Sequence, residues 1–277
     1  MYKYISWLSL DVVAGACLNS WVLTRYYQVP VQPEAIGVLG LAVYLAYTYD
    51  HLADAKRANC PAASNRHQFH QRNQYLLTAL AILALLGGLV LALTLPLRLV
   101  YNGLLLVGFC VIYFVGLSVA RLAKWVPKEF LVAIGYVAGI FIIPLSSQAG
   151  AVDPDFGWLA GQYFCLAMVN LLIFSHYGQA EDIQDGFVSM VQWLGTTKNR
   201  RLAIWIGVVF GVLGGMCYWQ HYHRPMALPM QASLWAVMIG LQLVLFFPHF
   251  FAPHSRYRAM GDGLLCLPGL LLLFPLR

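Results

Sequence analysis

Nine runs of apolar residues, each close to the length of a bilayer crossing, follow one another along this chain: roughly 5–24, 34–49, 75–95, 99–120, 129–147, 158–175, 203–219, 232–251 and 261–276. A helix needs about 20 predominantly apolar residues to cross the hydrocarbon core. The pattern therefore predicts an all-α, polytopic membrane protein with nine transmembrane helices. Of the 277 residues, 60% are hydrophobic and 10% charged, against about 25% charged in a soluble domain. The second run is short and lengthens by continuing as helix through Asp54; the last contains Pro268. The first begins almost at Met1 with no small-residue cleavage site before a soluble region, so it is read as a retained helix rather than a signal peptide.

Nine crossings put the N-terminus on one side with loops 51–74, 121–128, 176–202 and 252–260. That side carries Lys3, Lys56, Arg57, Arg66, Arg72, Arg121, Lys124, Lys128, Lys198, Arg200, Arg201, Arg256 and Arg258; the other carries Arg25, Arg98, Arg224 and Arg277. Thirteen basic residues against four, out of 17, place the first side in the cytoplasm. The net charge of +6 is thus one-sided, and with no soluble basic domain it does not indicate nucleic acid. Five of the six cysteines lie inside spans and no C-x-x-C pair occurs, so they read as small packing residues. The expected organisation is one transmembrane domain over 1–277, with loops 51–74 and 176–202 as its polar cap.

Both long polar loops open with carboxylates. "YTYDHLADAKR" places Asp50 and Asp54 four residues apart; "HYGQAEDIQDGF" places Asp182 and Asp185 three apart, after Glu181. Either spacing puts the pair on one helical face. Basic residues follow each time: Lys56, Arg57, Arg66 and Arg72, then Lys198, Arg200 and Arg201. Carboxylates gathered at a membrane boundary repel one another and are costly to dehydrate. Mg²⁺ with a diphosphate supplies the missing balance, because Mg²⁺ takes one or two carboxylates and completes its shell with water and phosphate oxygens. Cations placed there act most strongly on charge that develops on a leaving group. Asp50, Asp54, Glu181, Asp182 and Asp185 are the candidate metal ligands, and the four aspartates the candidate catalytic groups. Arg66, in "NRHQFHQR", is the first candidate for diphosphate contact, with Arg72, Lys56 and Lys198 next. The aromatic content, 14%, suits an isoprenoid tail and a cation stabilised by ring faces. Asp11 inside the first run is a functional candidate by its depth, and Asn170 and Tyr47 lie at the same level.

These residues resemble the UbiA superfamily of intramembrane prenyltransferases. The family's first motif is N-D-x-x-D-x-x-x-D. In "AYTYDHLAD", Asp50 and Asp54 match the last two acids, while Ala46 and Tyr47 stand where Asn and the first Asp belong. "AEDIQDGFVSMVQWLG" has the shape of the second motif, with Asp182 or Asp185 as the match and Gly178 at another acid position. The resemblance implies a ring of nine helices around a central cavity, capped by the two polar loops. It also implies Mg²⁺-assisted ionisation of an isoprenyl diphosphate, with the prenyl group captured by an aromatic or lipid acceptor. Capture by the substrate's own double bond, as in UbiA-type terpene cyclases, is the alternative within the superfamily. An ion-coupled transporter is the alternative outside it, though its acids belong at the midplane. The expected partners are the diphosphate substrate and the lipid bilayer, with no protein partner.

Overall fold

The computed structural model describes residues 2–58, 61–119, 128–148 and 155–274, all helix or short connection. Cys60, Arg121, Lys124 and Arg277 lie outside the described residues. The helices are α1 (Tyr2–Trp7), α2 (Leu10–Tyr26), α3 (Pro33–Arg57), α4 (Asn65–Arg72), α5 (Gln74–Ala92), α6 (Leu97–Val119), α7 (Lys128–Ser147), α8 (Asp155–Asp185), α9 (Met190–Leu194), α10 (Thr196–His221), α11 (Ala227–Phe246), α12 (Pro248–Phe251) and α13 (Arg256–Leu264). A 3₁₀ segment at Leu267–Leu273 follows.

Six of these, α5, α6, α7, α8, α10 and α11, are long and apolar enough to cross a membrane. The expected count of nine is not reached by that measure, for local reasons. The first run is broken at Ser9, whose backbone is left-handed (φ 54°), so α2 is only 17 residues long. α3 is 25 residues but carries the acid pair and two basic residues. The last run divides into α13 and the 3₁₀ turns, with Pro268 near the start of the latter, where its missing N–H costs least. α5 and α6 are only 11% and 6% buried while strongly apolar, which is the pattern of helices facing lipid.

The termini of the elements follow from their caps. Pro33 sits in the first turn of α3, where its fixed φ favours helix. Ser64 Oγ accepts from the His67 backbone N–H at 3.1 Å and starts α4. α8 runs 31 residues, about 46 Å at 1.5 Å per residue, so it crosses and projects beyond. It ends in a Schellman arrangement at Gly186 (φ 76°), where Phe187 N–H donates to Asp182 O at 2.8 Å and Gly186 N–H to Ile183 O at 3.3 Å.

α8 is the hub, packing against α7, α10, α11 and α13. α2 meets α3 and α7 on one flank; α13 and the 3₁₀ segment meet α2 on the other, so the chain's two ends adjoin and the helices form a closed circuit. Association between helices in lipid relies on close packing and interhelical hydrogen bonds rather than on the hydrophobic effect. Gln162 of α8 and Gln231 of α11 exchange two bonds of 2.9 Å beside Gly214 of α10, where an added Cβ would meet Gln162 Nε2 at 2.8 Å. Asn19 of α2 donates to Leu265 O at 2.7 Å and accepts from the Tyr163 hydroxyl at 2.9 Å. Farther along the same packing, Tyr27 stacks on Phe156 at 3.9 Å between ring centres.

Candidate active site

At the other end, four helices and a cap bring charge together. Asp50 and Asp54 lie on the last two turns of α3. Lys128, the first residue of α7, places Nζ 3.9 Å from Asp54 Oδ2 and stands within electrostatic reach of Asp50 and of Asp182 on α8. The two acidic stretches of the sequence thus share one ammonium group. Arg66 of α4 faces Asp50, Asp54 and Arg258. Arg258 of α13 lies over Phe174 and Tyr257, 5.4 Å from each ring centre, and its Nε donates to the Tyr257 hydroxyl at 3.2 Å. Arg258 comes up to α8 beside Gly178. Arg258 Nη2 and Asp182 Oδ2 lie 3.6 Å and 3.9 Å from where a Cβ on Gly178 would stand. Three carboxylates (Asp50, Asp54, Asp182) and three cations (Lys128, Arg66, Arg258) form one neutral cluster, five of the six drawn from different helices.

Asp50, Arg66, Lys128, Arg258, Tyr47 and Tyr136 each lie deep among surrounding protein atoms yet remain partly accessible. Groups with both properties line a concave interior. Farther from the acids, an apolar cleft of about 390 Å³ runs along the seam of α7 and α8, lined by Ile134, Val137, Phe141, Phe156 and Phe164 among others. Its lining is entirely apolar residues and glycine.

α4 closes over the acids. Gln71 donates to Ala55 O at 2.9 Å and holds α4 to the end of α3. Asp185 joins α4 to α8: its Oδ1 accepts from Ala63 N–H at 2.9 Å, and its Oδ2 lies 3.3 Å from His67 Nδ1. Burial, reinforced by Arg258, pulls the Arg66 guanidinium down to about 10, which leaves it charged at neutral pH. Burial and then the Arg66 charge push His67 below the usual imidazole range, against the opposing pull of Asp185. Burial lowers His70 as well. The cap therefore carries one charged guanidinium and two buried, neutral imidazoles.

The sequence candidates separate into groups. Asp50, Asp54, Asp182, Arg66 and Tyr47 come together at the cavity. Asp185 is taken up by the cap, and Glu181 lies half-exposed at the edge, within reach of Arg258. Lys56, Arg72 and Lys198 are exposed, and among the described residues no ion pair joins them to the acids. Asp11 and Asn170 are buried on the side of the cavity nearest α13. Sequence reasoning assigned no site role to Lys128, Arg258 or Asp262. Glu129, in the first turn of α7, is buried and accepts from Met190 N–H at 2.8 Å, fastening the second polar loop. The available signal was position: Lys128 and Arg258 are basic residues directly flanking apolar runs on the acidic side.

Among the described residues no three His, Cys, Asp or Glu side chains stand close enough to hold a metal unaided. Asp50, Asp54 and Asp182 face the same cation, Lys128. An incomplete carboxylate set of this kind fits Mg²⁺, which completes its shell with water and phosphate, and does not fit a closed structural site.

No protein-family model matches the sequence, and no curated protein does either. Solved structures do. Two are of a UbiA homologue from Archaeoglobus fulgidus, bound to DMAPP and Mg²⁺ (TM-score 0.64) or to GPP and Mg²⁺ (TM-score 0.68); each is 13% identical over 98% of this chain and 99% of that one. A third is the apo structure of a UbiA homologue from Aeropyrum pernix K1, with TM-score 0.67 and 13% identity over 94% of this chain and 97% of that one. The chain has the fold of these proteins from end to end.

Proposed function

We propose that the chain is a divergent member of the UbiA superfamily: an intramembrane, Mg²⁺-dependent enzyme that ionises an isoprenyl diphosphate and passes the prenyl group to an aromatic or lipid acceptor. One observation carries this reading. Asp50 and Asp54 from α3 and Asp182 from α8 all lie within electrostatic reach of Lys128, whose Nζ stands 3.9 Å from Asp54 Oδ2. The fold shared with proteins solved with DMAPP or GPP and Mg²⁺ supports the same ligand class.

Asp50, Asp54 and Asp182 would hold Mg²⁺, with Glu181 at the margin, and Asp185 would position the cap. Bound there, the metal supplies charge to the diphosphate while the allylic C–O bond breaks. Arg66, Arg258 and Lys128 direct donors and charge to the same leaving oxygens. The cluster is neutral without ligand, so a diphosphate arriving with its metal exchanges counter-ions instead of burying net charge. Tyr47 and Tyr136 line the cavity wall, where their ring faces would stabilise an allylic cation. The apolar seam of α7 and α8 offers the tail its surface. α4, held by Gln71 and Asp185, would keep water from the cation. The basic residues on the loops of this end support a cytoplasmic side for it.

The test uses the full chain in lipid nanodiscs with geranyl diphosphate, following diphosphate release. Release is expected with Mg²⁺ and not with a chelator, and Asp50→Asn and Asp182→Asn should each lower it about 100-fold or more. A wild-type protein that releases nothing, or variants that match it, would overturn the reading. A prenylated product that appears only with added lipid or aromatic extract indicates transfer. A cyclic product from the diphosphate alone indicates cyclisation.

A further inference from the structure

The second basic group of the sequence, Lys198, Arg200 and Arg201, does not join the acids. It occupies the first two turns of α10, and all three side chains are exposed. Among the described residues no ion pair joins these cations, or Arg256, to a carboxylate. The first turn of α10 holds no acid, and cations at a helix start oppose the helix dipole. Helix stability therefore does not account for them. The platform beneath them is fixed: Asn199, fully buried, donates from Nδ2 to Leu172 O of α8 at 3.1 Å.

Exposed aromatic rings stand at the same level. The Arg200 guanidinium lies 4.9 Å from the ring centre of Phe246, the last residue of α11. Arg256 lies 5.2 Å from the ring centre of Phe250 in α12. Those two rings are 46% and 60% exposed. Lys198, Arg201 and Trp205 fall on one face of α10 by helical spacing, and Trp205, one turn past Arg201, is 66% exposed. α10 and α11 are both long and apolar enough to cross a membrane, and aromatic rings at the ends of crossing helices sit at the level of the lipid headgroups. A guanidinium laid on a ring face keeps the N–H groups of its edge free, in the fork that fits a phosphate.

We infer that the rim formed by α10, α11 and α12 binds the headgroup of an anionic phospholipid. Arg200 and Arg201 take the phosphate, Lys198 and Arg256 flank it, and Phe246, Phe250 and Trp205 rest among the upper acyl carbons. Charge complementarity selects this occupant: four cations without a protein counter-ion, just outside two crossing helices, match a lipid with net negative charge. A zwitterionic lipid brings a cation of its own beside each phosphate and offsets nothing. The rim is distinct from the diphosphate clamp. The contacts that lead from one to the other run through two stacked rings: Arg200 acts on Tyr177, Tyr177 stacks on Tyr257 at 4.7 Å between centres, and the Tyr257 hydroxyl accepts from Arg258 Nε.

Full-length protein purified in a neutral detergent is melted with added phosphatidylglycerol, phosphatidylcholine or inorganic phosphate. Phosphatidylglycerol should raise the melting midpoint of wild type in a saturable way, and the other two should not. Arg200→Gln combined with Arg201→Gln should raise the phosphatidylglycerol concentration for half the shift about tenfold or more, the equivalent of one lost charged hydrogen bond. Arg98→Gln, near the start of α6 at the opposite end of the bundle, should keep the wild-type value. A double variant that responds like wild type overturns the inference. So does an equal shift from phosphatidylcholine, which shows that net charge is not read, or from inorganic phosphate, which shows that the lipid is not needed. If the double variant does not fold, judged by its size-exclusion profile, Arg201→Gln and Arg256→Gln are read singly, with native mass spectrometry counting the phosphatidylglycerol each retains against wild type; equal retention overturns the inference. None of these readouts uses a prenyl diphosphate, so they stand whatever the diphosphate-release assay returns.

Discussion

Asp185 and His67 stand 3.3 Å apart, carboxylate oxygen to imidazole nitrogen, and join the end of α8 to the short helix over the cavity. The same carboxylate holds Ala63 N–H at 2.9 Å. Three residues away on the same helix, Asp182 faces Lys128 and the cavity instead. Two aspartates of one motif thus have different surroundings, one bound into the cap and one facing Lys128 and Arg258.

That division predicts two unlike phenotypes. Asp185→Asn should cost about 1–2 kcal/mol, the scale of a buried hydrogen bond to a charged group, and should loosen α4. Asp182→Asn should keep the apo thermal midpoint close to wild type but abolish the upward shift that Mg²⁺ with geranyl diphosphate produces. Thermal unfolding in detergent, with and without ligands, separates them; an identical pattern in both variants refutes the division.

Lys128 neutralises the acids when no metal is present. Replacing it with Gln leaves Asp50, Asp54 and Asp182 facing one another with less counter-charge, and leaving a buried charge unpaired costs more than the pair gains. The apo form of Lys128→Gln should melt several degrees lower than wild type, and added Mg²⁺ should stabilise it more than it stabilises wild type. Equal Mg²⁺ shifts in the two proteins would show that Lys128 is not the resident counter-ion.

The aspartates were legible in the sequence because each ends a long apolar run, where a charge has no packing reason to be. The helical class was legible for the same reason, through run length. Five glycines or prolines from Gly261 to Pro275, Pro268 among them, blur the periodicity of the ninth run, and neither Asp262 nor Arg258 was given a site role. Distance along the chain hides such groups. Asp262 meets Asp11 across 251 positions (262 minus 11), a pairing no local pattern encodes. Asp185 was grouped with Asp182 because helical spacing puts them on one face, and only the position of α4 reveals that this face is divided between cap and cavity.

His67 makes the cap sensitive to acid. Its folded-state imidazole binds protons less readily than the ordinary group, through burial and the Arg66 charge, and Asp185 and Asp54 offset only part of this. The unfolded chain therefore holds more protons at this site below about pH 6.5, the ordinary imidazole value. Stability is full above that value and falls as the pH is lowered, by up to about 1.4 kcal/mol per pH unit while the full proton difference persists. Acidifying from pH 7 to 5 should lower the melting midpoint of wild type, and His67→Gln should flatten that slope. A variant with the wild-type slope would assign the acid sensitivity elsewhere.

Arg258 should set the affinity for the diphosphate and not the affinity for metal. Its guanidinium is committed through Nε to Tyr257 and rests against two aromatic faces, which aims the two remaining nitrogens at the space beside Gly178 and Asp182. A lysine cannot hold the tyrosine bond and reach the same point with a second donor. Both Arg258→Lys and Arg258→Met should therefore raise the KM for geranyl diphosphate, about tenfold or more for the methionine, the equivalent of one lost charged hydrogen bond. The Mg²⁺ concentration for half-maximal rate should move much less. Gly178→Asp provides an independent check, because the new carboxylate would grow toward Arg258 Nη2, pair with it, and withdraw it from the substrate. That variant should reproduce the raised KM in a protein that still has its arginine. If Gly178→Asp instead left KM unchanged while Arg258→Met raised it, the arginine would be acting by packing on Phe174 and Tyr257 and not through its charge.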